Sequence, residues 1–188
     1  MKNFLKLAAV ASLVMTGGSA YANEYADQLN ELAAGKIAEI VASADVVSAV
    51  QAQNEMTAGY DQAKVDALDL QWRAEVDASD KPLINEVLGR ALSEYLVGVQ
   101  EESEGMFTEI FAMDAKGLNV GQSGVTSDYW QGDEGKWQVP FNDGTVELGD
   151  VEEDESTQTF QSQVSVPVVD GNGNRIGAVT FGVNVEFL

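Results

Sequence analysis

The spacing of apolar residues changes from a helical to a strand period at Gly105, and this change constrains the fold more than any other feature. Before it, apolar side chains recur every three or four residues, which predicts helices over residues 24–55, 61–76 and from about 80 to 104. After it, apolar and polar residues alternate, which predicts strands. Helices and strands in separate halves of a chain are typical of an α+β fold, in which helices pack on an antiparallel sheet.

The second half of the chain divides into strands, turns and one irregular segment. The predicted strands cover residues 106–113, 118–122, 145–152, 160–169 and 176–187. Turn-forming residues at 114–117 and 170–174 predict tight turns, and Gly117 can adopt the positive φ that such a turn needs. Residues 124–144 show neither period and contain two of the three tryptophans of the chain.

Residues 1–22 have the organisation of a secretory signal peptide. Lys2 and Lys6 give a positively charged N-terminal region, residues 5–15 are largely apolar, and a run of small residues ends in Ala-Tyr-Ala at residues 20–22. The apolar stretch is shorter than the roughly 20 residues that span a bilayer, which disfavours a membrane anchor. We therefore predict cleavage after Ala22, with one mature domain at residues 23–188 in the periplasm.

The charge of the chain limits its partners. The formal net charge is −21, so the protein repels nucleic acid and anionic membrane surfaces. The chain contains no cysteine, so disulfides do not stabilise it.

The residues needed for several kinds of chemistry are absent. Without histidine or cysteine, the chain cannot form a Ser-His-Asp or Cys-His site, or a zinc site of the usual kind. The segment 170–174 begins like a calcium loop, but Arg175 and Phe181 occupy the positions that require glycine and glutamate. The acidic run 152–155 is interpreted as a solvated loop, with loose binding of a divalent cation as the alternative. We expect no catalysis, no metal site and no cofactor.

Residues 127–137, the aromatic loop, combine aromatic and acidic side chains. The aromatic residues are Tyr129, Trp130 and Trp137, and the acidic residues are Asp128, Asp133 and Glu134. Ring faces and carboxylates together are what an amine requires for binding, through cation–π contacts and charge pairing. The alternative is that the loop folds back over the sheet and its rings complete the core.

Three segments in this order resemble the extracellular Cache (PDC, PAS-like) sensor domain. They are residues 111–117, 127–134 and 166–179, and the N-terminal helix that ends at residues 49–54 fits the same pattern. The resemblance implies a PAS-like antiparallel sheet flanked by a long helix, with one ligand site between the sheet and the loops over it. For this chain it implies a ligand site formed by Tyr129, Trp130, Asp133, Glu134 and Trp137 in the loop, with Phe160 and Ser162 in the floor.

The resemblance also implies a function. It indicates a free-standing periplasmic domain that senses a small molecule and acts in signal transduction through a partner, such as a membrane sensor kinase or receptor. Relatives that bind amino acids place an arginine near the aromatic loop, whereas residues 118–145 contain none, which disfavours α-amino acids and favours amines. The ligand is expected to be an amine, an amino acid or a carboxylate. Arg73 could supply this charge if the second helix packs over the pocket, and a surface role is the alternative.

Two other functions remain open from the sequence. The aromatic loop could be a protein-binding patch in an interaction module without its own ligand. An enzyme that acts on glycans through paired carboxylates is the third hypothesis. The apolar stripe of the N-terminal helix could pack on the sheet or pair two copies in a homodimer.

Overall fold

The computed structural model describes residues 23–154 and 159–188, so the predicted signal peptide and residues 155–158 lie outside the described residues. The helices are α1 (Ala26–Leu32), a π-helical segment (Ala33–Ile37), α2 (Ala38–Val41), α3 (Ala44–Thr57), α4 (Gln62–Val76), α5 (Pro82–Leu88) and α6 (Ala91–Glu102). The strands are β1 (Phe107–Met113), β2 (Asn119–Gln122), β3 (Glu147–Asp154), β4 (Thr159–Val169) and β5 (Arg175–Asn184). A short helix α7 (Gly135–Gln138) and a π-helical turn (Val139–Asp143) lie between β2 and β3, and a 3-10 turn (Val185–Phe187) follows β5. The α+β prediction is confirmed.

The predicted helix over residues 24–55 is present as three helical segments rather than one continuous helix. Gly35 has φ −102° and ψ −105°, which interrupts the regular helix. Ser43 is extended, with ψ 151°, and its hydroxyl accepts a hydrogen bond from the Val46 N–H, so it begins α3 as an N-cap. The predicted third helix is likewise divided, because α5 ends before Gly89 and the extended residue Arg90 begins α6.

Replacing Ser43 with alanine should lower the free energy of unfolding by about 1 kcal/mol, because the N–H of Val46 loses its cap. Urea unfolding followed by circular dichroism measures the change. Ser48→Ala is the matched control, because Ser48 is exposed within the same helix and alanine there favours helix formation slightly. Equal losses in the two variants would contradict the capping role of Ser43.

The five strands form one antiparallel sheet in the order β2-β1-β5-β4-β3. Its helix-facing side carries the main core, in which Val164, Val179 and Phe181 pack with residues of α1, α3 and α6. Alternation places Gln163, Ser165 and Thr180 on the opposite side. We call this the loop-facing side, because α7 packs over it. No helix among the described residues is long and apolar enough to cross a membrane.

Candidate functional site: a polar pocket and an aromatic cleft

Helix α4 and the β1–β2 turn hold the aromatic loop in place. The Asp69 carboxylate, on α4, accepts hydrogen bonds from the backbone N–H groups of Tyr129 at 2.9 Å and Trp130 at 3.1 Å. The indole Nε1 of Trp130 donates to the Lys116 carbonyl at 2.8 Å, and that of Trp137 donates to the Asp114 carbonyl at 2.9 Å. Both indoles are therefore anchored on the same turn, which fixes the orientation of their rings.

Two glycines allow this close approach of loop and turn. Gly117 has φ +81°, and a Cβ atom added to it would lie 2.5 Å from the Cα atom of Gly132. The two backbones are thus in direct contact, and a side chain at either position would separate the aromatic loop from the turn.

The carboxylate of Asp114 organises the turn from inside the protein. Asp114 is fully buried, and its Oδ1 accepts from the N–H groups of Lys116 at 2.8 Å and Leu118 at 3.0 Å. Its Oδ2 accepts from Thr57 Oγ1 at 2.8 Å and Gln53 Nε2 at 3.3 Å, both on α3. One buried carboxylate therefore connects α3 to the turn on which the two indoles are anchored.

Helix α7 brings Lys136 over the loop-facing side of the sheet and closes a small cavity there. This sheet-face pocket has a volume of about 200 Å³ and is lined by Lys136, Gly149, Asp150, Glu152, Gln161 and Gln163. The ammonium group of Lys136 lies 2.9 Å from a Glu134 carboxylate oxygen and 5.7 Å from the centroid of the Phe111 ring. Since Glu134 already neutralises Lys136, the carboxylates of Asp150 and Glu152 give the pocket a net negative charge.

Glu147 lies next to this pocket, opposite Ser165 on β4. Burial raises the pKa of Glu147 above its ordinary value, and the nearby charge of Asp150 acts in the same direction. A hydrogen bond with Ser165 and the charge of Lys136 oppose the shift without cancelling it. The Oε2 atom is buried and has no hydrogen-bond partner among the described residues. A carboxylate in this state lacks a donor that a positively charged ligand could supply.

A second cavity, the aromatic cleft, lies between the α3–α4 corner and the aromatic loop. Its volume is about 300 Å³, and it is lined by Tyr60, Asp61, Gln62, Val65, Lys116, Trp130, Gly132 and Trp137. It shares no lining residue with the sheet-face pocket. Two of the aromatic residues expected in the ligand site, Trp130 and Trp137, both line this cavity.

The other predicted loop residues have different surroundings. Tyr129 is only 4% exposed and stacks on Trp72 at a centroid distance of 5.4 Å. It lines neither of these two cavities, but it lines a third one of about 130 Å³ together with residues of α3, α4 and α5. Asp133 is exposed, and Glu134 pairs with Lys136. Arg73 bonds to Asp69 and Asp128 with a largely exposed side chain, so it fastens the edge of the loop and does not enter either cavity.

The structure separates the predicted floor residues from the aromatic loop. Ser162 points to the helix-facing side of the sheet, where its hydroxyl donates to the Gly149 carbonyl and accepts from Asn23 Nδ2. Phe160 lies on the same side by strand alternation and is 51% exposed. Neither residue can therefore line a pocket together with Trp137, and this part of the expected arrangement is corrected.

Sequence reasoning missed the residues that do line the sheet-face pocket. Gln161 and Gln163, which line it, alternate with Val164 and other buried valines along β4. This alternation was the available signal. A strand that packs against helices on one side and carries polar side chains on the other presents the polar side to solvent or to a polar ligand. Tyr60 was also missed, since it lies about seventy residues before the loop that it meets.

Comparisons with known proteins returned solved structures only: no family model and no curated protein matches the sequence. The sensor domain of the Vibrio cholerae histidine kinase DctB is 11% identical over 86% of this chain and 55% of that chain, with a TM-score of 0.42. The ligand-binding domain of the Pseudomonas aeruginosa amino acid chemoreceptor PctC, in complex with GABA, is 16% identical over 86% of this chain and 63% of that chain, with a TM-score of 0.37. The ligand-binding domain of the Campylobacter jejuni chemoreceptor Tlp3, in complex with 4-methylisoleucine, is 10% identical over 87% of this chain and 61% of that chain, with a TM-score of 0.41.

These three structures are the sensor domain of a histidine kinase and the ligand-binding domains of two chemoreceptors. The present chain spans 55% to 63% of the length of the three.

Proposed function

We propose that this protein is a periplasmic sensor domain that binds a small organic cation, such as an amine, in the sheet-face pocket. The observation that carries the proposal is the net negative charge of this pocket, whose lining includes the carboxylates of Asp150 and Glu152. Glu147 does not line the pocket but lies beside it, and its buried Oε2 lacks a hydrogen-bond donor among the described residues. An ammonium group placed there would supply both the donor and the compensating charge.

The remaining lining groups suit an amine better than a metal ion. Gln163 donates its Nε2 to Glu109 at 2.9 Å, so its carbonyl oxygen can accept a hydrogen bond from a ligand N–H group. Among the described residues there is no group of three or more carboxylates that could hold a metal ion. The pocket therefore offers separate hydrogen-bond acceptors, which suit a ligand with several N–H groups better than a metal ion that needs several oxygen ligands at one point.

We also propose how the domain reaches its place of action and transmits its signal. Cleavage after Ala22 would release residues 23–188 into the periplasm as a single domain. Ligand binding would then be read by a partner protein, such as a membrane sensor kinase or receptor. The connection from Trp137 through Asp114 to α3 gives a physical path from the aromatic loop to the helices on the other side of the sheet.

A thermal-shift screen tests the proposal with aliphatic monoamines and diamines against carboxylates of matched size. We expect amines to raise the melting temperature and carboxylates to leave it unchanged, because a ligand that binds only the folded state stabilises it. Stabilisation by the carboxylates and not by the amines would refute the assignment of an organic cation.

Replacing Glu152 with glutamine should weaken binding of the best amine about fivefold, because one of the lining carboxylates is lost. Isothermal titration calorimetry measures the affinity. Glu153→Gln is the matched control, since Glu153 has the same charge, follows directly in β3 and does not line the pocket. Equal weakening in both variants would show that net charge alone attracts the ligand.

A further inference from the structure

We propose that the aromatic cleft is a second binding site, which takes a planar aromatic carboxylate independently of the sheet-face pocket. The cleft has a volume of about 300 Å³, and three of its lining residues, Tyr60, Trp130 and Trp137, are aromatic. All three rings pack against core clusters on one side and remain partly exposed. Partly exposed aromatic rings around one concave surface are typical of a ligand site.

The tryptophan rings are fixed before any ligand arrives. Each indole N–H is already used, by the carbonyl of Lys116 for Trp130 and by that of Asp114 for Trp137. The ring of Trp137 is already stacked on Phe141 at a centroid distance of 4.7 Å, so it can offer a ligand only its other face. The two indoles thus offer ring faces but no hydrogen-bond donor, which favours stacking against a planar ring. Because the rings are anchored on one turn, a ligand would not have to order them, and binding would cost less entropy.

The charges at the cleft favour an anion, in contrast to the rest of this acidic protein. Lys116 lines the cleft, and the ammonium group of Lys64 lies 5.7 Å from the centroid of the Tyr60 ring. Asp61 is the one acidic residue of the lining, and one of its oxygens caps α4 by accepting from the Lys64 N–H at 2.9 Å. The lining thus holds one cation and one carboxylate, and Lys116 can pair with a ligand carboxylate because Asp61 is engaged in the cap of α4. Lys64, outside the lining, lies over the ring of Tyr60, where an organic cation would otherwise bind.

The depth of the cleft sets the shape of the ligand. Val65 is only 3% exposed and forms an apolar part of the lining, whereas Lys116 and Asp61 provide its charged groups. A ligand with an apolar ring and a charged end matches this arrangement. The ligand that fits the cleft is therefore an aromatic acid of one or two rings.

Fluorine NMR of the protein labelled with 5-fluorotryptophan tests this inference, with indole-3-acetate as the probe. We expect the resonances of Trp130 and Trp137 to shift on titration. The resonance of Trp72 should stay unchanged, because Trp72 is fully buried and does not line the cleft. Tryptamine, which has the same ring with a cationic end, should bind much more weakly. Absence of shifts at Trp130 and Trp137, or equal binding of tryptamine, would overturn the proposal.

Two variants of cleft residues and one control variant distinguish a specific binding site from nonspecific stacking. Tyr60→Ala and Lys116→Gln should each weaken indole-3-acetate binding about fivefold, and Lys36→Gln, remote from the cleft over Phe107, should leave it unchanged. Undiminished binding in both cleft variants would overturn the assignment. Glu152→Gln should not affect this probe, so failure here is distinguishable from failure of the amine site.

Discussion

Replacing Asp114 with alanine should lower the free energy of unfolding by about 3 to 5 kcal/mol, the largest loss of stability that we expect from a single substitution near the site. The carboxylate is fully buried and accepts four hydrogen bonds, from two backbone N–H groups of its own turn and from Gln53 and Thr57 on α3. Alanine would leave the backbone N–H groups of Lys116 and Leu118 without this acceptor and would break the connection to α3, although Gln53 and Thr57 keep hydrogen bonds to backbone carbonyls. Urea unfolding, followed by circular dichroism and tryptophan fluorescence, measures the loss.

Asp170 provides a control with the same local geometry. Its Oδ1 accepts from the backbone N–H groups two and four residues later, as Asp114 does in its turn. These bonds lie at the protein surface, where water can replace the lost acceptor. Asp170→Ala should therefore have a much smaller effect than Asp114→Ala. Similar losses in the two variants would show that the turn alone, and not its burial against α3, makes Asp114 important.

Asp114→Asn separates the effect of charge from that of hydrogen-bond acceptors. Asparagine keeps one acceptor oxygen but places an NH₂ group near donors, so we expect an intermediate loss of stability. If the proposed path from the loop to α3 exists, this variant should also alter the environment of Trp137, whose indole donates to the Asp114 carbonyl. Tryptophan fluorescence in the folded state detects that change.

Much of the fold follows from local sequence patterns. The turn glycines Gly117 and Gly173 have φ +81° and +84°, and the strands they connect pair as antiparallel neighbours. These features depend on residues within one turn, which is why a single sequence can predict them. The α+β class similarly requires only that a helical period precedes a strand period.

Features that depend on distant contacts were not predictable in the same way. The central position of β5, between β1 and β4, requires the last strand to pair with the first, and no local pattern specifies that order. The N-terminal helix has a nearly continuous apolar stripe, yet it is interrupted at Gly35 and at Ser43 so that its segments follow the sheet surface. Gly35 and Ser43 were visible in the sequence as a poor helix former and an N-cap residue.

The residues of the candidate site differ in the same way, because those close together in the sequence could be predicted together and those brought together by the fold could not. The neighbouring positions of Trp130 and Trp137 in the aromatic loop were enough to place them together, and Tyr60 could not be added without the fold. The face on which Ser162 lies could have been deduced, because it alternates in phase with the buried valines of β4. The importance of Glu147 has no sequence signal, since its buried oxygen results from α7 and β4 packing around it.

Replacing Glu147 with glutamine should weaken binding of an amine about 30-fold, because a charged hydrogen bond to the ligand becomes a neutral one. The same substitution should stabilise the protein without ligand at neutral pH. Burial raises the pKa of Glu147, so the folded state holds its proton more tightly than the unfolded state. Stability therefore falls as pH rises from the ordinary pKa of glutamate through the raised value, and glutamine removes this loss.

Chemical unfolding from about pH 4 to about pH 8, with and without the best amine, measures both effects. Without ligand, the wild-type protein should lose stability relative to Glu147→Gln as pH rises. With saturating amine, the wild-type protein should instead be the more stable of the two, since the ammonium group favours ionised Glu147. Glu153→Gln, in the same strand, should follow the wild-type protein in both series. Parallel pH profiles for wild type and Glu147→Gln, or undiminished amine binding by the variant, would show that Glu147 does not recognise the ligand.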